Sequence, residues 1–214
     1  MQARETESVY QRVLGPRFSE LDPRLRSYFE LTPVGTIGVG RGVYDIAGSR
    51  VRALRPLLSL MATRQTLFPE LGRDVPFTVV NTNHADGTLS AVRTFAFPQR
   101  TRVMCDTMTV IDGRLIDRLG TRGGLDVALD VFVDGGGVHL ASRRLAVRLL
   151  GARIPLPSLA HVSVFERADG DGQRVDVRIR SPLIGEWFRY SGRFTYEHER
   201  VREEGAQRRM SRMS

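Results

Sequence analysis

The clearest pattern along the chain is alternation of apolar and polar positions at period two. Ile37, Val39, Arg41 and Val43 alternate with Gly38, Gly40 and Gly42, which predicts a strand over 35–48 with one bare glycine face, open to a helix or ligand. From Asp74 to about Tyr196 the alternation recurs in short runs. Leu125, Val127, Leu129, Val131 and Val133 alternate with Asp126, Ala128, Asp130 and Asp134, and Val175, Val177 and Ile179 alternate with Arg174, Asp176, Arg178 and Arg180. Asp86-Gly87, Asp112-Gly113, Asp134-Gly135 and the stretch 168–172 punctuate these runs; Asp-Gly suits the positive φ of tight hairpins. Strands joined by tight turns are antiparallel neighbours.

Helical patterns are confined to three places. Ser8 and Gln11 form a capping box ahead of Val9, Val13 and Leu14, and Gly15-Pro16 ends that helix. Asp22-Pro23 starts a second, with Leu25, Tyr28 and Phe29 as its apolar side. A third over 51–64 holds Leu54, Leu57, Leu58 and Met61, with Pro56 tolerable only near its start. The expected class is therefore α+β: N-terminal helices followed by a mostly antiparallel, strongly curved sheet or β-barrel of about eight or nine strands. The inserted helix would cap one end. The arrangement is lipocalin-like or START-like by analogy of fold. Residues 1–198 read as a single domain and 199–214 as a charged tail.

Charge and cysteine content narrow the picture. The net charge is +8 and every basic residue is arginine. The arginines are spread along the chain beside Asp and Glu, with no aromatic-rich basic cluster, so nucleic acid is not the expected partner. Cys105 is the single cysteine and fits a small core residue in a reducing compartment. The N-terminus lacks the apolar run of a signal peptide and no stretch is long enough for a membrane span. A cytoplasmic protein is expected, its oligomeric state open.

Several short stretches taken in order resemble the bacterial family of unknown function DUF4166. They are Tyr10-Gln11-Arg12-Val13-Leu14-Gly15 with Phe18, Leu21 and Pro23, then Gly40-Arg41-Gly42, Arg93-Thr94-Phe95, Leu119-Gly120 and Ile154-Pro155-Leu156-Pro157. Val175-Asp176-Val177, Ser181-Pro182-Leu183-Ile184-Gly185 and Tyr190-Ser191-Gly192 complete the set. The resemblance spans about residues 8–196. Ala91 stands where the family pattern suggests Trp, and the insertion 54–69 is longer than its usual counterpart. The resemblance implies one domain and leaves the chemistry to the residues.

Charged or phenolic side chains on otherwise apolar strand faces point inward, where they need partners. Arg93 shares a face with Leu89, Ala91, Phe95 and Phe97; Glu166 with Val162 and Val164; Tyr190 with Phe188, Gly192, Phe194 and Tyr196; Arg41 with Ile37, Val39 and Val43; and Asp106 lies between Met104 and Met108. Arg93 and Glu166 can neutralise each other as a buried pair that sets register. Alternatively, Arg93, Glu166 and Tyr190 form a catalytic cluster on an apolar cavity, Arg93 holding a carboxylate or enolate and Glu166 or Tyr190 moving a proton. Arg41, Phe95, Phe97, Met104, Asp106, Met108 and Phe188 would then contact the ligand. A solvated Asp106, or one paired with Arg102, is the plainer reading of that residue.

His84, His139, His161 and His198 lack metal-ligand spacing, Gly38–Gly42 lacks the Gly-x-Gly-x-x-Gly spacing, and no Gly-x-Ser-x-Gly elbow occurs. Neither metal nor cofactor is expected. The expected function is binding of an apolar small molecule inside the barrel, as a cofactor-independent cyclase or isomerase on a polyketide, terpenoid or fatty-acid-like substrate. A lipid or pigment carrier and a domain with a filled core are the alternatives.

Overall fold

The computed structural model describes residues 7–121, 124–149, 152–156 and 160–201. Two short helices, α1 (Val9–Leu14) and α2 (Pro23–Phe29), flank a 3-10 turn over Gly15–Glu20 and precede the strands. β1 (Thr36–Gly48) leads through α3 (Arg55–Thr63) to β2 (Leu71–Asn83), β3 (Leu89–Phe97), β4 (Arg100–Ile111), β5 (Arg114–Leu119) and β6 (Leu125–Asp134). β7 (Gly137–Leu149), β8 (Ala152–Leu156), β9 (His161–Asp169), β10 (Gly172–Ser181) and β11 (Gly185–Arg200) follow. The sheet runs β6-β5-β4-β3-β2-β1-β11-β10-β9-β7-β8, and a further β6–β7 pairing closes it. The ring has ten antiparallel strands, with β8 added outside it as a hairpin arm on β7.

Closure solves the problem that amphipathic strands pose. Every strand has an apolar face to bury and an edge to pair, and a ring satisfies both. The count exceeds the eight or nine expected because the chain around β7 to β9 lacks clean alternation. β7 shares its N-terminal half with β9 and its C-terminal half with β8, and a bulge at Ala128/Leu129 interrupts its register with β6. The predicted turns fall at the Asp-Gly pairs, except that Asp134 ends β6 and the turn there is Gly135-Gly136 rather than Asp134-Gly135. Asp112 and Gly113 have φ of 51° and 72°, and Gly135 and Gly136 have 55° and 78°, as two-residue hairpins with a right-handed twist require.

The capping box forms as predicted, Gln11 N–H donating to Ser8 Oγ at 3.1 Å and Ser8 N–H to Gln11 Oε1 at 2.8 Å. Asp22 caps α2 through Arg24 N–H. The two helices plug one end of the barrel. They are tied to its hairpin turns by Arg12 to Gly87 O (2.8 Å), Asp22 N–H to Gly136 O (3.0 Å) and Arg24 to Gly170 O (3.1 Å). α3 and the segment after it lie at the opposite, distal end. There Leu58 is fully buried, but Leu57 is 51% exposed rather than part of the apolar side. β11 continues to Arg200 and so takes in the first two residues of the expected tail, whose residues 202–214 lie outside the described ones.

The glycine face of β1 turns inward. Its room is taken by Phe194 and Tyr196, on which Tyr28 of α2 packs edge-on at 5.6 and 4.8 Å between ring centroids. A Cβ at Gly42 would meet the backbone carbonyl of Arg193. Gly42→Ala is expected to destabilise the protein by about 1–3 kcal/mol, read as a lower urea midpoint at unchanged slope.

Candidate functional site

The interior is layered along the barrel axis. Tyr10, Leu21, Leu25, Tyr28 and Phe29 fill the helical end. At the distal end Phe68 packs edge-on against Phe95, Phe97 and Phe188 at 4.8, 5.3 and 5.2 Å. Between these layers lies a cavity of about 90 Å³. Its wall is mainly aliphatic, with Arg93, Asp106, Asp117, Glu166 and the phenols of Tyr10, Tyr28, Tyr44 and Tyr190 in it.

Register explains the grouping. β3 and β4 pair Ala91 with Asp106 and Arg93 with Met104, so Arg93 and Asp106 are diagonal neighbours on the inner face. Their side chains form an ion pair through Arg93 Nη1 and Asp106 Oδ1. β4 and β5 pair Met108 with Asp117 and Asp106 with Leu119, which places Asp117 diagonally beside Asp106. Glu166 of β9 stands on the wall across the ring, five strands from Arg93 of β3 in the order of pairing. Its Oε2 accepts a hydrogen bond from Gln173 Nε2 at 2.8 Å. Tyr10 donates its phenol proton to Met108 Sδ at 3.3 Å.

One guanidinium therefore faces three carboxyl groups, in a space where an unpaired charge is costly. Burial opposes the charge of Arg93, but Asp106, with Tyr190, Tyr28 and Tyr44 behind it, holds the guanidinium protonated. Burial raises Asp106 against the pull of Arg93. Burial, reinforced by Asp106, lifts Asp117 well above the usual carboxylate range. Burial raises Glu166 to about 7, with Arg93 and Gln173 restraining the rise. Tyr190 is pushed up to about 12 by burial and stays a neutral phenol. Asp106 Oδ2 and Asp117 Oδ1 are buried without a hydrogen-bond partner among the described residues. They are open acceptors, or a proton-sharing pair, at the cavity wall.

Of the residues singled out from sequence, Arg93, Glu166, Tyr190, Met104, Asp106 and Met108 meet at this cavity. Phe95, Phe97 and Phe188 belong to the aromatic layer that closes its distal side. Arg41 does not face inward: its side chain is 54% exposed and pairs with Glu199 at 2.7 Å, because the glycines take the inner face of β1. The pairing also differs from the two simplest expectations. Arg93 takes Asp106 and not Glu166, while Arg102 takes Glu70 at 2.7 Å. Cys105 lies on the outer side of β4, its Sγ donating to Gln65 Oε1 at 3.0 Å. Asp117 was findable by the same rule as the others, since Leu115, Asp117 and Leu119 share a face. Tyr10 and Tyr28 were not, because nothing in a helix sequence says which barrel end it will plug. Among the described residues no group of three or more His, Cys, Asp or Glu is arranged to hold a metal ion.

The raised Glu166 has a consequence for stability. The folded state binds a proton that the unfolded chain releases between pH 4.5 and about 7. The stabilisation is full below 4.5 and is lost as the pH rises through about 7, an amount of the order of 3 kcal/mol. Glu166→Gln is expected to flatten this part of the stability–pH curve, measured by chemical unfolding at a series of pH values.

The molecule is a closed antiparallel β-barrel with one helix-plugged end and a small interior site that mixes aliphatic walls with ionisable groups. The chain belongs to the DUF4166 family, a domain of unknown function, whose model matches residues 21–194. It is also similar to the uncharacterized protein YndH of Bacillus subtilis (strain 168). The two are 27% identical over 205 residues, which cover 89% of this chain and 97% of the relative.

Proposed function

We propose that the protein binds a small molecule inside the barrel and exchanges a proton with it at Glu166, as a cofactor-independent isomerase or cyclase does. The observation that carries this reading is the isolated Glu166 carboxyl. It is buried on the cavity wall, holds one side-chain hydrogen bond from Gln173, and titrates near neutral pH, where a group both gives and accepts a proton readily. The ion-paired Arg93 supplies a fixed positive field across the cavity, and Tyr190 a neutral phenol as donor. The volume narrows the substrate. About 90 Å³ is less than the ~150 Å³ of an engineered cavity that admits benzene. The ligand is therefore a compact molecule, or the reacting end of a longer one, rather than a whole polyketide or fatty chain. The open acceptors on Asp106 and Asp117 favour a ligand with a hydrogen-bond-donating head.

The aliphatic wall formed by Val127, Leu129, Leu140, Val162, Val164 and Val177 favours a second reading, a carrier that returns its ligand unchanged. Native mass spectrometry of the protein purified from its own cells tests the shared claim. A mass increment lost on denaturation supports an interior ligand, and the bare polypeptide mass across preparations counts against it. Glu166→Gln separates the readings. A catalyst keeps the increment and accumulates the unreacted molecule, whereas a carrier shows the same molecule bound in both forms.

A further inference from the structure

The two ends of the barrel differ in charge, and both expose apolar side chains, Val34, Ile111 and Val201 among those at the helical end. The hairpin turns at the helical end carry Asp86, Asp112 and Asp134, besides Asp169 and Asp171, which Arg174 and Arg193 pair. At the distal end, residues 46–69 contain four arginines, Arg50, Arg52, Arg55 and Arg64, and no Asp or Glu. All four are exposed, and no ion pair among the described residues takes them up. Two acidic residues nearby are already neutralised: Glu70 by Arg102 and Arg100, Glu186 by Arg178 and Arg180.

Apolar side chains stand among these arginines. Leu58 anchors α3 in the core, while Leu57 and Leu60, one turn apart on another face, are 51% and 61% exposed. The β10–β11 turn at the same end presents Leu183 and Ile184, exposed to 84% and 47%. Water contact on four large aliphatic side chains at one end is unfavourable, and the arginines of 50–64, on the same segment as Leu57 and Leu60, select what covers them.

We propose that the distal end of the barrel docks on an anionic lipid surface. The arginines of 50–64 meet the headgroups, and Leu57, Leu60 and Leu183 enter the boundary with the acyl chains. Charge asymmetry along the barrel axis orients the molecule for this encounter, with its acidic hairpins away from the lipid. Each element has the role expected of an interfacial segment, a short apolar face flanked by arginine. The docking does not depend on the interior site being catalytic.

The test is co-sedimentation of the full chain with vesicles of phosphatidylcholine alone and of phosphatidylcholine mixed with phosphatidylglycerol. Binding is expected to the mixed vesicles only, and to weaken as salt is added. Arg52→Gln with Arg55→Gln lowers the partition coefficient by on the order of tenfold or more. Leu57→Ser with Leu60→Ser lowers it comparably at unchanged Tm, because both side chains are already in water in the free protein. Equal binding to both vesicle types, no binding to either, or unchanged binding by the leucine variant overturns the proposal. So does concentration-dependent dimerisation abolished by the leucine variant in the absence of vesicle binding, which assigns the face to a second copy of the chain.

Discussion

Asp106→Ala is expected to destabilise the protein by about 3–5 kcal/mol, because it strands Arg93 in the barrel interior with no counterion. At this chain length that corresponds to a fall in Tm on the order of 10 °C. The cost arises from the unpaired guanidinium rather than from loss of a favourable bridge, so removing both partners restores most of it. Arg93→Met with Asp106→Leu is expected to recover to within about 1–2 kcal/mol of the parent, since a well-packed apolar pair replaces a buried ionic one at little net cost. Asp117 and Glu166 do not substitute for Asp106. Burial, the larger cause, still pushes Asp117 towards its neutral form once Asp106 is gone, and Glu166 is engaged by Gln173 across the ring. A single variant within about 1 kcal/mol of the parent by calorimetry would show that Arg93 reaches water or another carboxylate.

Phe68→Ala is the second large effect, about 3–5 kcal/mol. Phe68 follows α3, outside any strand, and inserts its fully buried ring among Phe95, Phe97 and Phe188. Those three rings belong to β3 and β11, whose positions the closed ring fixes, so they cannot collapse fully into the space left behind. The neighbouring Leu67 lines the interior cavity, and loss of the Phe68 ring enlarges the apolar space on that side. A thermal scan with benzene is expected to raise the Tm of the variant more than that of the parent, whose cavity is smaller than benzene requires. Destabilisation below about 1 kcal/mol, or no benzene effect on the variant, would contradict a rigid aromatic layer at this end.

Most of the fold was legible because alternation and turn chemistry agree. Val175, Val177 and Ile179 fill the inner face of β10 as read, and the Asp112-Gly113 turn has the expected positive φ, whereas the turn after β6 lies at Gly135-Gly136, one residue beyond the expected Asp134-Gly135. Closure and strand number were not legible, since β7 divides its edge between two partners and no local pattern announces that. The site was legible to the extent that a charge on an apolar face must point inward, which found Arg93, Asp106 and Glu166. Pairing was not, because whether Arg93 meets Asp106 or Glu166 depends on which strands end up adjacent and which face each other. Arg41 failed for a related reason. Where one face of a strand is glycine, the bare face can be the inner one, because bulky rings from Phe194 and Tyr196 need that space.

Proton exchange in the barrel requires Glu166 to be a buried carboxyl on the cavity wall, poised near neutrality. Carbon NMR of the side-chain carboxyls as a function of pH, with Glu166→Gln to assign the signal, tests this directly. The expected result is one glutamate titrating at about 7 and absent from the variant. A Glu166 signal that titrates at the ordinary 4.5 would put the group in water and remove the proton-exchanging site.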